Sequence, residues 1–89
     1  MSDYRIIDET ARVSAVAADD IEICGAYQPA GRSYWSLYVT ELITRQTGLR
    51  TPPHREHFWG ETGKSAARAW VELIAALYTQ AVSGGVVAA

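Results

Sequence analysis

The sequence predicts a two-layer α+β domain, in which an antiparallel sheet of three or four strands packs against one long C-terminal helix. Short segments rich in β-branched and aromatic residues, separated by turn residues, occupy most of the chain before residue 60. One long segment with apolar residues at helical spacing follows them. Strands that precede a single helix are typical of the α+β class.

The first two strands are predicted at residues 11–17 (ARVSAVA) and 21–27 (IEICGAY), because both segments are short and apolar. Residues 18–20 (ADD) form the turn between them. The second turn is QPAGR, residues 28–32, in which proline fixes φ and glycine accepts a positive φ.

A third strand is predicted at residues 33–43 (SYWSLYVTELI), which are rich in aromatic and β-branched residues. A helix over residues 33–46 is the alternative, because Glu41 and Arg45 are four residues apart and Gly48 suits a helix end.

The last strand is predicted at residues 54–60, after a proline-containing loop at 48–53. The helix is predicted at 63–82, where apolar residues recur at three- and four-residue steps. Two glycines end it, so we expect a single domain over 1–83 and a flexible tail at 84–89.

Composition limits the class of protein. The 89 residues carry a net charge of −2, and no segment has the pattern of a signal peptide or the length of a membrane span. One cysteine excludes an internal disulfide and indicates the cytoplasm. Abundant alanine, glycine, valine and arginine with one lysine indicate a bacterial or phage origin.

The motif GETGKS at residues 60–65 resembles the end of a nucleotide-binding P-loop but does not satisfy the full pattern. The first glycine of G-x-x-x-x-G-K-[ST] would fall on Phe58. The helix start explains the same residues, with Thr62 as its N-cap. The free N–H groups at this helix start, together with Lys64, make the binding of an anion an alternative role for the segment.

No catalytic residue, metal site or cofactor is predicted. His54 and His57 would point to opposite faces of a strand, and a closed zinc site needs about four ligands. Cys24 lies in an apolar strand, where a small core residue is expected. The pairs of adjacent acidic residues in the sequence are typical of turns and do not indicate a catalytic site. We therefore expect a protein that is not an enzyme.

Two segments, PPHREHF (52–58) and GETGKSAARAWVELIAAL (60–77), resemble parts of a double-stranded-RNA-binding domain. That resemblance implies phosphate contacts by Lys64 and Arg68, with His54 in a contacting loop. The predicted order of strands before one helix is also similar to the arm-binding domains of phage integrases, which implies a sheet laid against DNA.

Charge is unevenly distributed along the chain. Residues 1–43 contain three basic and seven acidic residues, whereas residues 44–68 contain five basic and two acidic ones. A basic segment can bind nucleic acid or another anion, but an overall acidic chain disfavours duplex binding. The candidate residues for this alternative function are Arg45, Arg50, Arg55, Lys64 and Arg68.

The leading hypothesis is a small binding or regulatory protein that acts through a protein–protein surface, as a homodimer or a higher oligomer. Three tryptophans and five tyrosines exceed what a thin core can bury, and aromatic residues are enriched among interface hot spots. The residues predicted for this surface are Tyr34, Tyr38, Trp70, Val71 and Tyr78.

Overall fold

A computed structural model describes residues 4–47, 57–59 and 63–83 of the chain. In chain order its elements are β1 (Tyr4–Glu9), β2 (Arg12–Ala17), β3 (Glu22–Tyr27), β4 (Tyr34–Val39), α1 (Glu41–Thr47), β5 (His57–Trp59) and α2 (Gly63–Ser83). The strands form one antiparallel sheet in the order β1-β2-β3-β4-β5, and α2 packs against it. The predicted fold class is confirmed.

Strand β1 is the element that the sequence did not predict. It pairs with β2 so that Tyr4 lies opposite Ala17 and Glu9 lies opposite Arg12, which leaves a two-residue loop between the strands. Only one face of β1 is covered, and charged side chains occupy much of the rest. Charged side chains are common in strands at the edge of a sheet. This strand therefore lacks the apolar composition by which its neighbours were predicted.

The turn between β2 and β3 lies at residues 18–20, as predicted. Asp20 adopts a left-handed φ of 66°, which aspartate tolerates better than most residues. The pairing then shifts, with Ala15 opposite Cys24 and Val16 opposite Glu22. This β-bulge leaves Ile23 as an extra residue, so Ile23 and Cys24 are both completely buried in the same core.

Residues 33–46 form both a strand and a helix. The strand ends at Val39, and α1 begins at Glu41, so the predicted strand is wrong beyond residue 39 and the helical alternative is correct from residue 41. The Thr40 hydroxyl donates to the carbonyl of Glu22 at 2.7 Å, which ties the junction to β3. Arg45 and Glu41 form the expected ion pair at 3.6 Å.

The core lies between the sheet and α2. Strand β4 turns Trp35 and Leu37 towards it, as alternation predicts, and α2 is helical from Gly63 to Ser83. No described helix is long and apolar enough to cross a membrane. The predicted loop at 48–53 and tail at 84–89 lie outside the described residues.

Candidate interaction surface

The side of α2 that packs on the sheet is formed by small residues. Ala67, Val71 and Ala75 follow at four-residue steps and are completely buried. The Cys24 thiol donates to the Val71 carbonyl at 3.5 Å, so the helix lies close to β3. Val71 therefore belongs to the core and not to an exposed surface, which corrects its predicted place among the interface residues.

The larger apolar residues of α2 lie on its flank and outer side. Leu73 is 57% exposed and Leu77 is 53% exposed. Trp70, Ile74 and Tyr78 are half-buried and contact the edge of the core. At 100° per residue, the stripe that contacts the sheet excludes both leucines. The larger apolar residues of α2 thus lie mostly on sides that the sheet leaves partly or wholly uncovered.

A groove of about 310 Å³ runs between α1 and the C-terminal half of α2. None of the described residues that line it is charged, and its walls are almost wholly apolar. Its lining residues are Ile43, Gln46, Ile74, Leu77, Tyr78 and Ala81. The groove and the neighbouring side chains of Trp70 and Leu73 together are named the α1–α2 surface.

The end of α2 also extends beyond the sheet. Val82 continues the spacing of Val71, Ala75 and Tyr78 on the side that faces the sheet, yet it is 49% exposed. A helix of 21 residues spans about 31 Å. A six-residue strand spans only about 20 Å. The last turns of α2 therefore have apolar residues that no strand among the described residues covers.

Tyr38 lies on the opposite face of the sheet. Its hydroxyl donates to the Glu22 carboxylate, while Arg12 donates to the Tyr38 oxygen at 2.7 Å and to Glu22 at 3.0 Å. Burial, followed by the hydrogen bond to Glu22, raises the pKa of Tyr38. The Tyr27 ring lies 6.1 Å from the Tyr38 ring, between centroids. These contacts join β2, β3 and β4 across this face.

The ring of Tyr38 covers Gly25, its cross-strand partner. A Cβ atom at Gly25 would lie 2.3 Å from the Tyr38 oxygen and 2.5 Å from Cζ, so only glycine permits this ring position. Tyr38 therefore has a structural role, and Tyr34 is half-buried on the same face. Of the predicted interface residues, Tyr34 and Tyr38 therefore lie on the sheet face away from α2. Only Trp70 and Tyr78 belong to the α1–α2 surface.

Two of the predicted basic residues are paired with β1. Lys64 donates to the Asp8 carboxylate at 2.9 Å and to the Glu9 carbonyl at 2.8 Å. Arg68 binds Asp8 and also Glu72, the latter at 2.8 Å. The hydrogen bond from Lys64 is the main cause that lowers the pKa of Asp8. These contacts fix the start of α2 to the sheet edge.

The other basic candidates are less defined. Arg45 pairs with Glu41 on α1, while Arg50 and Arg55 lie outside the described residues. The structure therefore does not bring the five residues together as one described patch.

Two of the chemistries considered for the sequence, a cysteine nucleophile and a metal centre, lack their requirements among the described residues. Cys24 is completely buried, and burial raises the pKa of its thiol to about 12, so a thiolate nucleophile is disfavoured. Among residues 4–47, 57–59 and 63–83, no three His, Cys, Asp or Glu residues cluster as metal ligands. The antiparallel strands also differ from the parallel sheet that supports a P-loop.

Comparisons of the chain with protein-family models, with curated proteins and with solved structures found no match.

Proposed function

We propose that the chain is a small non-enzymatic binding or regulatory protein that acts through the α1–α2 surface, and that self-association is part of this function. The observation that carries the proposal is the exposure of Leu73 and Leu77 beside an uncharged groove. Covering exposed leucines with a partner lowers the free energy, because apolar surface is removed from water. Contiguous apolar patches of this kind mark interaction sites.

The position of these leucines distinguishes them from scattered surface residues. They lie one helical turn apart and adjoin the half-buried Trp70, Ile74 and Tyr78. Burial of an exposed leucine contributes about 1.5–3 kcal/mol, so a half-exposed one contributes about 1 kcal/mol. Two copies would bury four such leucines, which supplies about half of the ~8 kcal/mol of a micromolar complex.

The proposal includes the cytoplasm as the place of action. Cys24 is a free, buried thiol, which is the state that a reducing compartment maintains.

Sedimentation velocity over about 1 μM to 1 mM protein tests self-association. We expect the average mass of the wild-type species to rise with concentration. The Leu77→Lys variant should keep the mass of a monomer throughout. Ile21→Lys is the matched control, because Ile21 is 49% exposed but lies outside the α1–α2 surface. It should behave as the wild type does. A wild-type chain that stays monomeric throughout would remove self-association and leave only a different protein partner.

Nucleic-acid binding through the basic segment is the alternative function. Five basic residues against two acidic ones at 44–68 favour it, whereas the pairing of Lys64 and Arg68 with Asp8 weakens it. A salt titration with labelled duplex distinguishes the two functions. Binding that decreases steeply with salt and is lost in Lys64→Glu/Arg68→Glu would support the alternative, and no binding at low salt would dismiss it.

A further inference from the structure

We infer that the outer edge of β1 binds an extended segment of another protein, which extends the five-stranded sheet by one antiparallel strand. This edge is separate from the α1–α2 surface, so the inference goes beyond the proposed function and does not depend on it. It is carried by the hydrogen bonding, the regularity and the charge of β1.

The backbone of β1 has unpaired groups along its outer edge. In an antiparallel pair, residues that exchange hydrogen bonds alternate with residues whose N–H and C=O groups point away from the partner strand. The two-residue loop between Glu9 and Arg12 makes these two residues an exchanging pair. Every second residue of β1 before Glu9 then bonds to β2, and the residues between them direct both backbone groups outward. These outward residues are Tyr4, Ile6 and Asp8.

The hydrogen bonds on the other side of β2 agree with this alternation. The N–H of Gln28 donates to the carbonyl of Ala11 at 2.9 Å, so Ala11 and then Val13 bond towards β3. Arg12 and Ser14 therefore bond towards β1, as the loop requires. Within the described part of the chain, no hydrogen bond reaches the outward backbone groups of β1.

Strand β1 lacks several of the features that protect a sheet edge. Its six residues (YRIIDE) include no proline, glycine or lysine, and its pairing with β2 is regular from Tyr4 to Glu9. It is about 20 Å long, whereas β5 at the opposite edge has only three residues. A straight edge with unpaired N–H and C=O groups is complementary to an extended peptide backbone, so the occupant is a β-strand.

The side chains of β1 select the sequence of that strand. Alternation along β1 leaves Arg5, Ile7 and Glu9 on the sheet face away from α2. Ile7 is 38% exposed, and the Arg5 side chain remains 61% exposed although it pairs with Asp20. An added antiparallel strand would place one residue opposite each of the three, with Cβ atoms about 5 Å apart.

The complementary strand has an acidic residue opposite Arg5, a β-branched residue opposite Ile7 and a basic residue opposite Glu9. Because the strands are antiparallel, the occupant has these residues in the order basic, apolar, acidic from its N-terminus, at alternate positions.

A second copy of β1 has this order of residues but fits the edge poorly. Pairing Arg5 of each copy with Glu9 of the other would bring the two Asp8 residues to about 8 Å from each other. Lys64 and Arg68 bind Asp8 on the helix side. Two such basic pairs, and the positive ends of two α2 helices, would then lie together. A segment that carries no such helix avoids this repulsion, so the occupant comes from another protein.

Fluorescence anisotropy with a labelled peptide, Lys-Thr-Val-Val-Glu-Thr, tests the selection by charge. We expect it to bind both the wild type and Leu77→Lys, because the edge lies apart from the α1–α2 surface. The charge-exchanged peptide Glu-Thr-Val-Val-Lys-Thr should bind about tenfold more weakly, because two favourable cross-strand pairs become like-charge pairs. Arg5→Glu/Glu9→Lys should reverse this preference.

N-methylation of the peptide tests the backbone contacts. In the inferred register, the N–H groups of the second and fourth peptide residues donate to β1, and those of the third and fifth point away from it. Methylation of the second and fourth should abolish binding. Methylation of the third and fifth is the matched control, and it should change the affinity by no more than about threefold.

Hydrogen exchange of the chain locates the bound peptide. In the free chain the amide protons of Ile6 and Asp8 should exchange quickly and those of Ile7 and Glu9 slowly, because only the latter bond to β2. The bound peptide should slow exchange at Ile6 and Asp8.

Three results would overturn the inference. One is no binding at up to about 1 mM peptide, and another is equal binding of the two methylated peptides. The third is binding that Leu77→Lys abolishes, which would place the peptide on the α1–α2 surface. A wild-type chain that stays monomeric in sedimentation would contradict self-association, whereas binding of the peptide by that monomer would still support the β1 edge.

Discussion

Replacing Val71 by alanine tests which side of α2 packs on the sheet. Val71 is completely buried, whereas the larger Leu73 two residues later is 57% exposed. Leucine loses three carbon atoms on truncation to alanine and valine loses two. If only side-chain size mattered, Leu73→Ala would be the more harmful change. The structure predicts the opposite order, because only Val71 leaves a space in the core.

The magnitude follows from the burial of each residue. Val71→Ala loses about 1.6 kcal/mol of transfer free energy, at ~0.8 kcal/mol for each carbon. The space left behind adds to this loss, and the better helix propensity of alanine returns about 0.5 kcal/mol. The net cost is about 2 kcal/mol, which lowers the Tm of a domain of this size by about 8–16 °C. Leu73→Ala should cost about 1 kcal/mol or less because less than half of its side chain is buried.

Urea unfolding, followed by circular dichroism, measures both free energies of unfolding. Protein concentrations must lie below the range of self-association, so that the exposed leucine is not stabilised by a partner. Equal m-values for both variants and the wild type would show that the free energies are comparable. If Leu73→Ala destabilised the monomer more than Val71→Ala, the assignment of the buried stripe would be wrong.

Three further outcomes are expected. Gly25→Ala should lower the free energy of unfolding by about 2 kcal/mol because its methyl group displaces the Tyr38 ring. Urea unfolding measures this cost in the wild type and in Tyr38→Ala, and a cost that is no smaller in Tyr38→Ala would contradict this cause. Asp8 has a lowered pKa in the fold, so its bond to Lys64 should stabilise the protein above the ordinary value of 3.8 and lose this effect as the pH decreases below it. Thermal unfolding of the wild type and Asp8→Asn between pH 2 and 7 measures the difference, and a gap that widens in acid would refute the sign. Cys24 should react with a thiol reagent only when the chain unfolds, since it is buried and its pKa is about 12; alkylation in native buffer that is as fast as in concentrated urea would contradict its placement.

The sequence predicted the elements whose local signals are strong. The 3.6-residue periodicity predicted α2, and turn residues placed β2 and β3 within one residue of their observed bounds. Strand β1 carries no such signal, because an edge strand needs cover on only one side and holds charges elsewhere. The junction at Thr40 was also not predicted, since its hydrogen bonds to β3 depend on contacts between segments distant in the chain.

The candidate site was predicted only in part. The excess of apolar and aromatic residues indicated an uncovered surface, and Trp70 and Tyr78 lie on it. Leu73 and Leu77 fit the helical periodicity of α2, but that periodicity does not identify them as the exposed residues. The stripe of small residues at four-residue steps, Ala67 to Ala75, was the signal that could have identified the buried side. Short side chains allow a helix to approach a sheet closely.

The amino-acid sequence by itself determined the α+β class, the long helix and the absence of a complete P-loop, because these depend on periodicity and spacing within short segments. Only the tertiary structure decided which side of α2 is buried and whether Lys64 is available to an external anion. An amphipathic pattern shows that a helix has apolar sides, but not which of two apolar sides meets the sheet. That choice depends on how closely the backbones approach, and it leaves the two leucines of α2 in solvent.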